Sequence, residues 1–281
     1  MERKYALIGD KLGHTLSPPI HQRLFELRGR EFSYELLEIA PDELKIKSEY
    51  LSTLAGYNVT IPHKPAIIPY LDKLDSSAKR YGAVNCVDNK GGIHTGYNTD
   101  CDGFLRSVKS GGGSLGGNVL LLGAGGVGRM MAIETCLAGG SLTMAVLESF
   151  FPQAKKVKAD ILAQTPDAKV SIVTFDNIPK EHFDTMINAT PVGMYPKSDA
   201  CVVSDSVIAQ ADFVFDAIYN PKETLLVQKA KAMGNTAIGG MAMLVWQAVS
   251  AHEIWDSDSY TESEVNAIIE EMNLRVERDF K

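Results

Sequence analysis

Residues 118–140 read NVLLLGAGGVGRMMAIETCLAGG. Val119–Leu122 is an apolar run of the length a buried strand takes. Gly123, Gly125 and Gly128 then fit G-x-G-x-x-G, and a helical stretch follows that Gly139 and Gly140 close. Strand, glycine turn and helix in this order aim backbone donors and a helix N-terminus at the place a pyrophosphate would occupy. Without its flanks the pattern is weak and fits an empty tight turn equally well. The next strand, SLTMAVLES, completes the unit, so Gly123, Ala124, Gly125, Gly126, Val127 and Gly128 form a candidate dinucleotide turn.

In such units an acidic residue about 20 positions past the last glycine, at the end of the second strand, holds the adenosine ribose. Glu148 stands there. Its carboxylate would accept from both ribose hydroxyls and repel a 2′-phosphate. No arginine occurs between Arg129 and Arg275, and Lys155 and Lys156 fall inside the following helix. The expected cofactor is NAD in preference to NADP. The plainer alternative is that Glu148 only decorates the start of that helix.

Working outward, VSIVTF, DTMINAT, DFVFDAI and NTAIGG supply further short strands, which gives residues 104–240 a doubly wound, Rossmann-type layout. Upstream, KYALIGD, PPIHQRLFELRG, FSYELLEI, PDELKIKSEYLS and YNVTI alternate strand and helix, and a turn at Asn89–Gly92 splits VNCVD from IHTGYNTD as a hairpin. GGGSLGG marks a linker or a loose turn. Beyond Met241 two helices carry apolar stripes, and the simplest place for them is back on the first domain. The predicted division is therefore an α/β domain over 1–103 completed by 241–281, and a dinucleotide-binding domain over 104–240.

The balance of 28 basic against 35 acidic residues gives −7, with the basic residues scattered, which argues against a nucleic-acid or anionic-membrane surface. The apolar run after MERKY is far too short for a signal peptide. The four cysteines show no C-x-x-C spacing, so reduced thiols in a cytoplasmic protein are expected, with no metal. The helix pattern does not choose between a monomer and a homodimer.

In GYNVTIPHKPAI, residues 56–67, Pro62 and Pro65 force the chain out of a sheet and set Lys64 on a stiff corner. Asp100 sits where GYNTDCDG enters a helix. Two roles fit it, an N-cap or a partner for Lys64; as partner it would orient an ammonium for proton transfer. Thr15 and Ser17, in HTLSP, fit either helix caps or a carboxylate site.

The ordered motifs HTLSP, NVTIPHK, GAVN, GYNTDCDG, GAGGVG, NATPVGM, DAIYNPKETLL and GGMAMLVWQA resemble the shikimate dehydrogenase family, including its quinate/shikimate branch, along nearly the whole chain. The resemblance implies reversible reduction of 3-dehydroshikimate to shikimate by a nicotinamide cofactor, with Lys64 and Asp100 as the catalytic pair. It implies that Thr15, Ser17 and Thr60 hold the substrate carboxylate, and that Asn58, Asn85, Asp100 and Gln247 bind ring hydroxyls. Tyr219 would stand beside substrate and nicotinamide, with Met241 and Met243 at the nicotinamide end. Thr190, Val192, Met194, Ile218 and Gly240 would complete the cofactor side. From the residues alone, Tyr219 reads as a turn residue and Gln247 as an exposed helix position.

Two departures stand out. Thr15 replaces the family's common serine, and LESFF stands where NADP-using members carry a basic loop. The second fits the branch that accepts NAD and often quinate. A non-catalytic dinucleotide sensor on the same fold would not need Lys64 and Asp100 together.

Overall fold

The computed structural model describes residues 3–13 and 15–279. By packing, the chain divides into two compact units, Met1–Gly103 with Val245–Met272, and Phe104–Leu244 with Asn273–Lys281.

The first unit opens with β1 (Arg3–Gly9), α1 (Ser17–Leu27), β2 (Phe32–Glu38), α2 (Leu44–Leu51), β3 (Gly56–Val59) and α3 (His63–Ala66). It continues through β4 (Lys73–Leu74), α4 (Ser76–Tyr81), β5 (Cys86–Lys90), β6 (Ile93–Tyr97) and the start of α5 (Asp100–Ser110). Its sheet runs β2-β1-β3-β5-β6-β4. β1 lies between β2 and β3, parallel to both, and its Tyr5–Gly9 stretch is buried, as a strand covered on both faces requires. The sheet is mixed, because β5 and β6 are joined by the tight turn at Gly91 and Gly92, and so short a connection can link only antiparallel strands.

The apolar layer under this sheet includes Ile8, Ile39, Leu51, Val59, Ile67 and Val87. A second, aromatic layer of Tyr5, Phe25 and Trp255 is supplied in part by α10 (Met241–Asp256). The Trp255 indole donates to the Val87 carbonyl at 2.9 Å, and a Cβ at position 56 would overlap its ring, so Gly56 is required by close approach.

The second unit alternates β7 (Asn118–Leu122), α6 (Gly126–Leu137), β8 (Ser141–Val146), α7 (Phe151–Gln164), β9 (Val170–Thr174) and β10 (Phe183–Asn188). Then come α8 (Asp205–Ile208), β11 (Ala211–Asp216), α9 (Leu225–Ala232) and β12 (Thr236–Ile238). The strands lie in the order β12-β11-β10-β7-β8-β9, with every described pair parallel. That is the doubly wound arrangement, and its order reverses between β7 and β10, the place where such sheets bind ligands. Leu120, Leu122, Met186, Val214 and Leu226 fill the core beneath it.

The last helix, α11 (Glu262–Asp279), corrects one expectation. The sequence assigned all of 241–281 to the first domain, whereas 241–244 and the stretch from Asn273 onward pack with the second unit. The helix ends keep different company: Glu264 pairs with Arg28 at 2.9 Å, and Glu277 lies 3.7 Å from Lys222. No helix among the described residues is long and apolar enough to cross a membrane.

Candidate active site

In the first unit the candidate side chains come from separate elements and meet through hydrogen bonds. Lys64 lies on α3, a single turn begun after Pro62, and its own carbonyl accepts from the Val84 amide at 2.8 Å, which pins the corner. Its Nζ donates to Asp100 Oδ2 at 2.6 Å, and the two side chains are 26% and 22% exposed, so the pair is anchored yet reachable. Asp100 opens α5, where a helix dipole favours a negative charge. Both of its carboxylate oxygens are engaged by side chains, because Asn85 Nδ2 donates to Oδ1 at 2.9 Å.

Asn85 is a junction. Its Oδ1 accepts from the Thr99 amide at 2.7 Å, and its Nδ2 also approaches Thr99 Oγ1 at 3.0 Å and Gln247 Oε1 at 3.4 Å. Gln247 is buried rather than exposed as the bare helix pattern suggests, since α10 is apolar around most of its circumference. Asn58, on β3, is 5% exposed; it donates to the Asn85 carbonyl at 3.3 Å and accepts from the Tyr34 hydroxyl at 2.7 Å. Asn58, Lys64, Asn85, Asp100 and Gln247 thus form one polar cluster.

Thr60 follows β3 directly, and a Cβ at Gly9 would overlap its methyl group, which sets the end of β1 against it. Thr15 Oγ1 accepts from the Ser17 amide at 3.1 Å, so its hydroxyl does act on the start of α1. His14, the first residue of HTLSP, lies outside the described residues.

The second unit builds its site from backbone. Gly123 has φ +90, a conformation that favours glycine, and a Cβ at Gly128 would come within 2.7 Å of the Gly123 carbonyl. Gly125 and Gly126 differ: nothing lies within 4 Å of a Cβ at either, so at the first turn of α6 the backbone is open to a ligand. Gln153 Nε2 donates to the Ala124 carbonyl at 2.9 Å and fixes the turn, while Val127 is exposed. Glu148 begins a 3-10 turn one residue beyond β8 and is exposed, with the exposed Leu147 and Phe150 around it in sequence. Turn, helix start and terminal acid together fit a dinucleotide.

Across the switch point, the loop that follows β10 supplies Thr190. Its methyl group would meet a Cβ at Gly123 at 2.9 Å. Two residues that the sequence did not single out hold this loop. Asn188, fully buried, accepts from the Thr190 amide at 3.0 Å and hydroxyl at 2.7 Å, and donates to Asp216 Oδ1 at 3.0 Å. Asp216 in turn receives the Ile218 amide at 3.0 Å and the Thr224 hydroxyl at 2.6 Å; burial pushes its carboxyl upward while those donors hold it down. The available signal was their place, a polar residue ending an apolar strand.

Val192 donates its amide to Thr190 Oγ1 at 3.2 Å, and Met194 is exposed. The Gly240 amide donates to the Ile218 carbonyl at 2.8 Å, and a Cβ there would collide with the Ala217 carbonyl. Burial pushes the Tyr219 hydroxyl above its ordinary range. Met241 is buried and Met243 half-buried, both in the first turn of α10.

The family model for the shikimate dehydrogenase substrate binding domain matches residues 7–87. A shikimate dehydrogenase (NADP(+)) of Caldanaerobacter subterraneus subsp. tengcongensis is 36% identical over 260 residues, which span 91% of this chain and 92% of that one. Among solved structures, the shikimate 5-dehydrogenase of Listeria monocytogenes in complex with shikimate and NAD is 30% identical, with TM-score 0.85 over 96% of both chains. The quinate dehydrogenase of Corynebacterium glutamicum in complex with NAD is 27% identical, with TM-score 0.84 over 96% of this chain and 98% of that one. With this degree of identity maintained along nine-tenths of its length, the chain belongs to the shikimate dehydrogenase family.

Proposed function

We propose that this chain interconverts 3-dehydroshikimate and shikimate and uses NAD in preference to NADP. The observation that carries the proposal is the 2.6 Å contact between Lys64 and Asp100 inside a cluster of amide side chains. A bound nicotinamide cofactor supplies or accepts the hydride. The chain moves the proton. In reduction the Lys64 ammonium gives a proton to the ketone oxygen as its carbon gains hydride, leaving an amine and an alcohol; oxidation reverses each transfer.

Asp100 holds the ammonium in place, and with Asn58, Asn85 and Gln247 it receives the ring hydroxyls. Thr15, Ser17 and Thr60 take the carboxylate. Gly123 to Gly128 take the pyrophosphate at the start of α6, with Thr190, Val192, Met194, Ile218, Gly240 and Met243 on the cofactor side and Tyr219 beside the reacting groups. The NAD preference rests on Glu148, whose charge repels a 2′-phosphate, and on the absence of any arginine from 130 to 274. The curated relative above carries NADP(+) in its name, and the two related structures carry NAD in theirs.

Quinate oxidation is a second activity favoured by the Corynebacterium glutamicum likeness and by Thr15, since quinate adds a hydroxyl at the carboxylate-bearing carbon. Initial rates with shikimate and quinate, each under NAD and NADP, test all of this. Shikimate turned over faster with NAD is expected. Much faster turnover with NADP overturns the role of Glu148, and no turnover of shikimate with either cofactor overturns the function.

A further inference from the structure

We infer that Tyr34 is a positioning residue that, with the Asn85 carbonyl, holds the Asn58 amide in the orientation that meets the substrate. The inference rests on the function proposed above. Asn58 Nδ2 points to the Asn85 carbonyl at 3.3 Å, and a carbonyl only accepts, so the donor end of the amide is defined. The opposite end, Oδ1, accepts from the Tyr34 hydroxyl at 2.7 Å. Held at both ends, the amide keeps its second N–H in a fixed direction, a donor suited to a substrate hydroxyl or ketone oxygen.

Tyr34 is itself held from behind. Its ring stacks on His21 at 4.5 Å and 16°. The protons in that layer follow from its one obligate acceptor. The Tyr260 hydroxyl lies 3.0 Å from the Leu24 carbonyl and must donate to it. His252 Nδ1, 3.1 Å from the same hydroxyl, is therefore the donor to it. His252 Nε2 is then an acceptor, and His21 Nδ1, at 3.0 Å, donates to it. Both imidazoles are neutral in this order, consistent with burial, which holds His252 down to about 3 and His21 well below its ordinary range. A neutral, stacked imidazole keeps the Tyr34 ring in register without placing a charge beside the amide.

Tyr34→Phe keeps the ring and its stacking and removes only the hydroxyl. KM for shikimate is expected to rise about tenfold, the worth of one orienting hydrogen bond. The cofactor KM should stay near wild type, with the melting temperature lowered by no more than the few degrees that one buried hydrogen bond is worth. In an Asn58→Ala background, Tyr34→Phe should add no further loss, a non-additivity that a merely structural role would not produce. A wild-type KM for shikimate in Tyr34→Phe, or additive losses in the double variant, overturns the inference while leaving the function standing. Should wild-type protein fail to turn over shikimate, the function falls, and the side-chain amide resonances of Asn58 decide the rest: shifted in Tyr34→Phe they sustain the role of Tyr34, unmoved they end it.

Discussion

The two units build their candidate sites in opposite ways. In the first, Asn58, Lys64, Asn85, Asp100 and Gln247 arrive from β3, α3, the approach to β5, α5 and α10, and side-chain hydrogen bonds unite them. In the second, a run of six residues from Gly123 to Gly128 is four-sixths glycine and offers mainly backbone. A side-chain site tolerates substitution in its fold and fails in its chemistry. A backbone site fails in its geometry as soon as an atom is added at the wrong glycine.

Removing the central cation is the hardest test of that contrast. Lys64→Ala should lower kcat by about 10²–10⁴, the usual yield of a positioned acid/base group. Because the ion pair is about a quarter exposed, unfolding free energy should change by less than about 1 kcal/mol in urea titrations. A kcat within a few-fold of wild type would remove Lys64 from the chemistry.

The glycine turn should respond the other way. Gly128→Ala places a methyl group against the Gly123 carbonyl and should cost about 1–3 kcal/mol of stability. Gly125→Ala enters open space and should leave stability within about 0.5 kcal/mol. Its cofactor Kd, measured by titration calorimetry, should nevertheless rise roughly tenfold, about 1.4 kcal/mol, as the backbone is held off the ligand. Equal behaviour of the two variants would show that the turn does not work through its backbone.

Acid should reach the first unit through its buried histidines. His252, held down to about 3, takes up no proton in the folded chain where the unfolded chain does. Its folded value is depressed, so stability is fully present above about pH 6.5 and declines as pH falls toward 3, by up to about 1.4 kcal/mol per pH unit. Denaturant midpoints across that window measure the slope, and His252→Phe should flatten it. A slope unchanged in the variant would place the acid sensitivity elsewhere.

The smallest effect belongs to the exposed Glu148. If its charge opposes a 2′-phosphate as proposed, Glu148→Ser should raise the NADP:NAD ratio of kcat/KM by about tenfold, read from initial rates. An unchanged ratio would move cofactor choice to another residue.

What the sequence revealed follows the same division. The glycine turn was legible because its residues are contiguous and each neighbour constrains the next. Lys64 and Asp100 were legible as a pair mainly through family likeness, since 36 positions separate them and a helix cap explained Asp100 equally well. Gln247 was misread because a polar residue in a helix ordinarily marks the wet side, and here a buried amide partner waits for it. Tyr34 lies in a strand whose first five residues alternate apolar and polar, and nothing local distinguishes it from a sheet-face tyrosine. The His21–His252 contact spans 231 positions, beyond the reach of any local pattern. The departure of Asn273 from the first unit was equally hidden, because the apolar stripe of α11 continues past it without a break.

The tryptophan whose indole caps the Val87 carbonyl has an optical consequence. The chain has two tryptophans, Trp246 and Trp255, and both belong to the first unit. Selectively excited tryptophan fluorescence therefore watches the melting of the first unit alone, while far-ultraviolet dichroism sums over both. A gap between the two transitions would give each half its own stability from a single unlabelled sample.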